Sequence, residues 1–196
     1  YSGINGDLIW SYAAKDKNGQ LGMSIEAAGD VNGDNIPDVI AGAPYVNKVY
    51  VFSGDNGRIL YEWIGKYKSG AYGRAVKGVG DIDKDGNSDI IIGEPYQIWG
   101  APLNSNKVEE SGNVYLLSGK DGKVIKKYSG TRIGDGFGVA ISGKTSDNQT
   151  LIMIGAANAG SNNGGEVTVY KGLKSKPIFT IKADSTGSRL GSMFMS

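Results

Sequence analysis

Short apolar runs recur along the chain and alternate with turns rich in Gly, Asn and Asp. The first complete set of such runs covers residues 24–28, 39–41, 48–52 and 59–63. The third and fourth runs are rich in β-branched and aromatic residues, which favours strands. The dipeptide Asn56-Gly57 between them favours a hairpin. The pattern predicts four short antiparallel strands in about fifty residues, which is typical of a β-propeller blade.

Two sequence marks repeat along the chain at identical intervals. The first mark is Leu, Tyr or Phe followed by glycine, and its glycines are Gly22, Gly73, Gly138 and Gly191. The second mark is a glycine that follows a strand end, and its glycines are Gly3, Gly54, Gly119 and Gly172. Both sets of glycines are 51, 65 and 53 residues apart. Two marks that stay in step through unequal intervals indicate an internal repeat.

The repeat predicts a single all-β domain over residues 1–196, built from propeller blades of four antiparallel strands. We expect a partial blade at 1–20, complete blades at 21–70, 71–131 and 132–185, and the start of another blade at 186–196. Ends of this kind would leave unpaired strand edges. We therefore expect that the ends complete one another, or that further blades or a second copy complete the propeller. Because the sequence begins at Tyr1 without Met, we also expect a processed or excised piece.

Two loops carry oxygen-bearing side chains at positions 1, 3, 5 and 9. The first loop has Asp30, Asn32, Asp34 and Asp38, and the second has Asp81, Asp83, Asp85 and Asp89. Such crowded negative charge is unfavourable unless a cation neutralises it, and oxygen-only ligands suit calcium. The backbone carbonyl at position 7, from Ile36 or Asn87, is expected to join each set. The sequence thus predicts two calcium sites.

Two other interpretations of these loops were weighed. Asn, Asp and Gly are common in solvated turns for local backbone reasons, but a plain turn predicts neither the fixed spacing nor its repetition. An EF-hand needs a glutamate at position 12 and flanking helices, whereas position 12 is Ala41 or Ile92 in an apolar run. The loop at residues 146–150 is three residues shorter than the others and lacks the ligand pattern, so we expect no metal there.

The carboxylate count ranks the two predicted sites. The second loop offers four carboxylates and the first offers three, with the neutral Asn32 in place of the fourth. More ligand charge favours tighter calcium binding, so we expect the second loop to bind calcium more strongly. Ligands spread along one loop enclose the ion, whereas a catalytic metal needs an open position for substrate. The sequence therefore favours a structural role for the metal.

The order of these motifs resembles the FG-GAP repeat. An aromatic residue or Leu with glycine is followed by Gly-Asp, an acidic loop, and then Gly42-Ala43-Pro44 or Gly93-Glu94-Pro95. This repeat is known from the β-propeller of integrin α subunits and from many bacterial surface and secreted proteins. The resemblance covers about residues 21–196. It implies a bacterial surface or secreted protein with an extracellular, cell-surface or periplasmic location, and a role in adhesion or in binding a protein or a glycan.

Composition limits the chemistry that the chain can perform. Cys and His are both absent, which excludes disulfides, thiolate zinc sites and a Ser-His-Asp triad. The net charge is +1 without blocks of like charge, so nothing points to nucleic acid or a membrane surface. No apolar run approaches about 18 residues, so no membrane-spanning helix is expected. We expect a binding module and no enzyme; a calcium-dependent polysaccharide-active enzyme and an architectural spacer stay open as alternatives.

Three aromatic residues are candidates for ligand contact. Trp99 lies in the long insertion that follows Gly93-Glu94-Pro95, and a loop of this length on a rigid blade favours recognition. Packing of Trp99 against a neighbouring blade is the alternative. Tyr45 and Tyr96 follow the Gly-Ala-Pro position and are expected on one face of the disc. Trp10 and Trp63 occupy matching places after the second mark and are expected to pack between blades.

Overall fold

The computed structural model describes residues 1–67, 70–96, 111–146, 149–161 and 163–193. Within these ranges the chain forms three four-stranded sheets, in each of which consecutive strands pair antiparallel. The first sheet consists of β1 (Ser24–Gly29), β2 (Asp38–Ala43), β3 (Lys48–Phe52) and β4 (Ile59–Ile64). The second consists of β5 (Ala75–Gly80), β6 (Asp89–Glu94), β7 (Asn113–Leu117) and β8 (Val124–Ser129). The third consists of β9 (Phe137–Ser146), β10 (Gln149–Ala156), β11 (Glu166–Lys171) and β12 (Phe179–Lys182).

The three sheets confirm the predicted propeller blades of four antiparallel strands. The helical structure among the described residues is a single 3-10 turn, Pro44–Val46, between β2 and β3. One sheet falls inside each predicted complete blade, although the blade boundaries themselves stay a prediction. No described helix has the length and apolar composition that a membrane crossing requires.

The second blade is buried on both faces, which explains the continuous apolar run at the centre of β6. Ile90 and Ile92 belong to the cluster that contains Val49 of the first blade. Ile91 points the other way and joins the cluster that contains Ile152 of the third blade. Successive residues of a strand face opposite sides of the sheet, so a strand between two neighbours needs apolar residues at every position.

The glycines of the first mark allow neighbouring blades to approach closely. A Cβ on Gly42 would overlap the carbonyl oxygen of Gly73, and a Cβ on Gly93 would overlap that of Gly138. Gly73 and Gly138 both have a positive φ, which favours glycine. The backbone of Gly73 or Gly138 therefore occupies the space that a side chain would fill at Gly42 or Gly93 of the preceding blade.

Aromatic side chains of β4, of β8 and of the segment before the first blade link neighbouring parts of the propeller. The Trp10 indole donates to the Gly54 carbonyl at 3.0 Å, and the Tyr128 hydroxyl donates to the Gly172 carbonyl at 3.0 Å. Trp63 donates to the Gly122 carbonyl at 3.2 Å. These contacts confirm that Trp10 and Trp63 pack between blades. They also account for part of the second mark, because the carbonyls of its glycines Gly54 and Gly172 are acceptors at the blade boundaries.

The third sheet ends in an exposed strand. Phe179 and Ile181 of β12 pair with Val169 and Val167 of β11, the same register as Tyr61 and Trp63 in the first blade. There they are 52 % and 51 % exposed, although the matching residues of the first blade contact the following blade. The exposure agrees with an incomplete propeller.

Candidate metal centre

Each acidic loop connects the first two strands of its blade, and a bulge precedes it. The pairing of β1 with β2 shifts between Ala27 and Gly29, and the pairing of β5 with β6 shifts between Gly78 and Gly80. Gly29 and Gly80 have φ values of 79° and 76°, which a residue with a Cβ rarely adopts. This conformation accounts for the Gly-Asp dipeptide, since it turns the chain out of the strand at the first aspartate of each loop.

Each loop folds around the carboxylate at position 1. Asp30 accepts backbone hydrogen bonds from Gly33 at 2.7 Å and from Asn35 at 2.8 Å. Asp81 accepts them from Asp85 at 3.1 Å and from Gly86 at 2.9 Å. In both loops the backbone N–H five residues on bonds the carboxylate at position 1, as expected for a repeated motif.

The carboxylate at position 9 is buried and joins the loop to the turn after the third strand. Asp38 accepts from the backbone of Val31 at 2.8 Å and of Gly54 at 3.0 Å. Asp89 accepts from Ile82 at 2.7 Å and from Gly119 at 3.1 Å. Each carboxylate oxygen has more than one lone pair, so these backbone bonds leave acceptor capacity for a cation.

In the second loop, the structure brings three predicted ligands together. Each of Asp81, Asp83 and Asp89 offers a carboxylate oxygen, and these oxygens all lie within 4.8 Å of one another. Burial and the neighbouring Asp83 raise the pKa of Asp89 to about 6, although three backbone donors act in the opposite direction. Burial and the charge of Asp85 raise the pKa of Asp83 as well. Three converging carboxylates held in this way fit a hard divalent cation, because the cation would offset the repulsion between them.

In the first loop, the acidic side chains of the described residues do not form a comparable group. The neutral Asn32 occupies the position that Asp83 has in the second loop. Its amide donates to the Asp34 carboxylate at 2.9 Å. Burial raises the pKa of Asp38, and the charge of Asp34 adds to this effect. The oxygen donors of this loop also fit a cation, but the loop carries less negative charge than the second loop does.

Three contacts that support the loops, made by Ser118, the Asn87 side chain and the Ser88 backbone, were not predicted from the sequence. Ser118 donates to Asp85 at 3.2 Å. The Asn87 amide donates to the Val31 carbonyl at 2.8 Å, and the Ser88 backbone donates to the Asp30 carbonyl at 2.7 Å. The serine was visible in the sequence as the residue before Gly119 in the second mark. The contacts of Asn87 and Ser88 cross a blade boundary, and no local sequence pattern predicts them.

The corresponding position in the third blade is a hairpin between β9 and β10. Residues 147 and 148 lie outside the described part of the chain, and Gln149 pairs with Ser146 across them. Thr145 and Thr150 share a hydrogen bond of 2.8 Å, and the Thr145 hydroxyl also donates to the Val79 carbonyl of the second blade at 2.6 Å. The expected absence of a metal in this loop stays a prediction.

Two of the three predicted ligand-contact residues, Tyr45 and Tyr96, lie at the other end of the strands. Tyr45, in the 3-10 turn after β2, is 41 % exposed. Tyr96 is only 8 % exposed and packs against Tyr67 with ring centroids 5.5 Å apart, so little of its ring faces solvent. Trp99 lies outside the described residues.

A buried carboxylate distinguishes this end of the second blade. Glu94 stands where the other blades have Ala43 and Ala156, and its side chain is fully buried. The Tyr115 hydroxyl donates to it at 2.8 Å. Burial raises the pKa of Glu94, although that hydrogen bond acts in the opposite direction. Gly70 makes room for the carboxylate, because a Cβ there would overlap it.

A polar cleft of about 330 Å³ lies at the same end of the third blade. Its charged residues form two ion pairs: Arg132 lies 3.9 Å from Asp135, and Lys182 lies 3.1 Å from Glu166. Thr131 and Ser161 add hydroxyl groups to the lining. The cleft offers both donors and acceptors with no excess of either charge, which suits a polar, uncharged ligand. No feature of the sequence indicated it.

Blades with glycine-mediated contacts and acidic loops after their first strands define a repeat protein of the β-propeller class. The model of the FG-GAP repeat matches residues 22–61 and 78–117. The first segment covers β1 to β3 and the start of β4, and the second runs from within β5 to the end of β7. Together they contain both acidic loops. The chain therefore carries FG-GAP repeats.

Relatives among characterised proteins are integrin α subunits. The chain is 28 % identical to integrin alpha-8 of Gallus gallus over 171 residues, which is 80 % of this chain and 16 % of that protein. It is 30 % identical to integrin alpha-V of Gallus gallus over 161 residues, 78 % of this chain and 15 % of that protein. It is 26 % identical to integrin alpha pat-2 of Caenorhabditis briggsae over 197 residues, 90 % of this chain and 16 % of that protein. The chain thus spans a small part of the length of these relatives.

Proposed function

We propose that the chain is a calcium-stabilised propeller segment that serves extracellular binding or adhesion. The observation that carries this proposal is the convergence of Asp81, Asp83 and Asp89 within the acidic loop of an FG-GAP repeat. The similarity to integrin α subunits supports a location outside the cell. It also supports a binding role, with no catalysis by this segment. A bacterial source remains a prediction from the sequence.

Two calcium ions are proposed, one in each acidic loop. Side-chain oxygens and the carbonyl at position 7 would hold them: Asp30, Asn32, Asp34, Ile36 and Asp38 in the first loop, and Asp81, Asp83, Asp85, Asn87 and Asp89 in the second. A bound ion would supply positive charge that offsets the repulsion among these carboxylates. Because Asp38 and Asp89 also bond the turn after the third strand, the ion would stabilise the whole end of a blade. The role we assign to it is structural.

The second loop is proposed as the stronger site. It has one carboxylate more than the first, and its carboxylates already lie close together. Preorganised ligands lose less conformational freedom on binding. Calcium titration by calorimetry should therefore resolve a tighter event that Asp81→Ala abolishes and a weaker event that Asp30→Ala abolishes. The opposite assignment would overturn the ranking, and no binding in either loop would overturn the calcium proposal.

A protein or a glycan is the proposed ligand, and we place its contact at the end of the blades opposite the acidic loops. The exposed Tyr45 ring and the polar cleft near Arg132 and Asp135 lie there. An aromatic ring and a set of balanced polar groups are what sugar recognition requires, whereas a protein partner would need a broader part of the same face.

The experiment that tests binding compares the calcium-loaded and chelated protein on a glycan array and in a pull-down with candidate extracellular proteins. The expected result is capture that Tyr45→Ala or Arg132→Ala weakens while the melting temperature stays unchanged. Asp55→Ala, in an exposed turn near the other end of the blade, serves as the control. Absence of capture in both formats would favour an architectural spacer, and turnover of a polyuronide would favour the enzyme alternative.

A further inference from the structure

The two acidic loops touch each other across the boundary between the first and second blades. The Asn87 side chain donates to the Val31 carbonyl at 2.8 Å, and the Ser88 backbone donates to the Asp30 carbonyl at 2.7 Å. The Ser88 side chain occupies the space beside Gly29, where a Cβ would overlap it. A segment of the second loop is therefore packed against the start of the first loop.

The contacting residues belong to the segments that carry the proposed metal ligands of the two loops. In the second loop, the Asn87 backbone donates to the Asp85 carboxylate at 3.0 Å, and Ser88 directly precedes Asp89. In the first loop, the Val31 backbone donates to the Asp38 carboxylate at 2.8 Å. A continuous series of three hydrogen bonds thus runs from Asp85 through Asn87 and Val31 to Asp38.

This series is specific to the second loop. The residues that match Asn87 and Ser88 in the first loop are Ile36 and Pro37, whose side chains cannot donate a hydrogen bond, and Pro37 also lacks a backbone N–H. The ligand pattern therefore does not require donors at these two positions. Their presence in the second loop serves the neighbouring loop.

Support for the second loop comes from residues that need no metal. The Thr145 hydroxyl of the third blade donates to the Val79 carbonyl, two residues before Asp81, at 2.6 Å. Its partner Thr150 holds it from the other strand of the hairpin at 2.8 Å. The first loop, by contrast, is supported by a segment whose own order depends on the carboxylates of the second loop.

We propose that the Asn87 side-chain amide and the Ser88 backbone N–H position the first loop and couple the two metal sites, so that calcium binds them with positive cooperativity. This inference rests on the calcium binding put forward under the proposed function. Calcium in the second loop fixes the segment that holds the carbonyls of Asp30 and Val31, and the first loop then loses less freedom when it binds its own ion. The coupling is reciprocal, because each ion must raise the affinity for the other by the same factor.

Asn87→Ala separates the coupling from the ligands. The substitution removes the amide that bonds Val31 but keeps the backbone carbonyl and all seven carboxylates of the two loops. Ser88→Ala is the matched control, because it removes a neighbouring hydroxyl and keeps the backbone donor to Asp30. A third variant, Asp81→Asn, disables the second site. The double variant with Asn87→Ala and Asp81→Asn completes a double-mutant cycle.

The measurement is calcium titration by calorimetry, together with hydrogen exchange of the Gly33 and Asn35 amides in the first loop. We expect Asp81→Asn to weaken the first site by roughly 5- to 20-fold and to speed exchange of these amides. Asn87→Ala should remove most of that coupling, add little to Asp81→Asn, and leave the second site nearly as tight as before. Ser88→Ala should retain the coupling.

Three outcomes distinguish this proposal from the one on which it rests. Two independent binding events, with the first site unchanged by Asp81→Asn, would overturn the coupling and leave calcium binding intact. A loss of coupling in Ser88→Ala equal to that in Asn87→Ala would overturn the role assigned to the Asn87 amide. No calcium binding by the unsubstituted chain would overturn the calcium proposal and the coupling with it.

Discussion

The Tyr61 hydroxyl donates a hydrogen bond of 2.7 Å to the Gly119 carbonyl across the boundary between the first and second blades. Tyr61 also stacks on Trp63, with ring centroids 4.8 Å apart, and Trp63 bonds the same turn through Gly122. The backbone of Gly119 donates in turn to Asp89. The outer strand of one blade is thus connected to the acidic loop of the next by a single glycine.

Replacement of Tyr61 by Phe should destabilise the protein by about 0.5–1.5 kcal/mol, because the ring still packs while the Gly119 carbonyl loses its donor. Urea unfolding monitored by Trp fluorescence measures the change in the free energy of unfolding. The control is Tyr1→Phe, since Tyr1 is 85 % exposed. Equal stabilities of the Tyr61→Phe and Tyr1→Phe variants would show that the bond contributes nothing.

Replacement of Gly93 by Ala should destabilise the protein by about 2–3 kcal/mol, because the new Cβ would overlap the Gly138 carbonyl oxygen and push the blades apart. For a chain of this size, the melting temperature should fall by roughly 5–10 °C. Gly3→Ala is the matched control, as no atom lies within 4 Å of a Cβ there. A melting temperature of Gly93→Ala that equals the control would refute the close approach of these glycines.

Calcium should raise the melting temperature, and a chelator should lower it. At a free calcium concentration of 100 times the Kd, each site adds about 2.7 kcal/mol to the free energy of unfolding. Asp81→Ala should remove the larger part of this increase, since Asp81 belongs to the stronger site. Asp55→Ala, which deletes an exposed carboxylate outside both loops, should keep all of it. Differential scanning calorimetry with calcium and with EDTA makes the comparison, and a melting temperature indifferent to both would contradict a structural metal.

Glu94 should make the protein less stable as the pH rises above 4.5. Burial raises the pKa of Glu94 above its ordinary value of 4.5, so the folded protein holds this proton more tightly than the unfolded chain does. Between the two pKa values the folded state binds more protons, and its stability therefore decreases as the pH increases.

The Glu94→Gln variant lacks this titration while it keeps the shape of the side chain. The free energy of unfolding of the unsubstituted protein, minus that of Glu94→Gln, should decrease between pH 4 and pH 8 when both are measured in EDTA. The exposed Asp184→Asn serves as a control for the loss of a surface carboxylate. A difference that stays constant over this pH range would show that Glu94 has the same pKa in the folded and unfolded states.

Much of the fold was predictable because its signals are local. Strand β3 begins and ends where the apolar run at residues 48–52 placed it, and the glycine marks revealed the repeat before any contact was known. The spacing of Asp81, Asp83 and Asp89 predicted their convergence, since a tight loop brings residues two to eight positions apart to one point. Tyr96 shows the limit of such reasoning: its place after the Gly-Ala-Pro position suggested a surface residue, and packing against Tyr67 buries it.

The sequence by itself determined the blade, its strands and the spacing of oxygen-bearing side chains in the two acidic loops, because each depends on residues close together in the chain. Only the tertiary structure decided that Asn87 bonds Val31, 56 residues away, and that Tyr61 bonds Gly119, 58 residues away. Which blade lies beside which, and how closely, depends on glycine contacts and buried side chains from separate repeats. These long-range contacts join the two loops, since Asn87 and Ser88 of the second loop bond the backbone of the first.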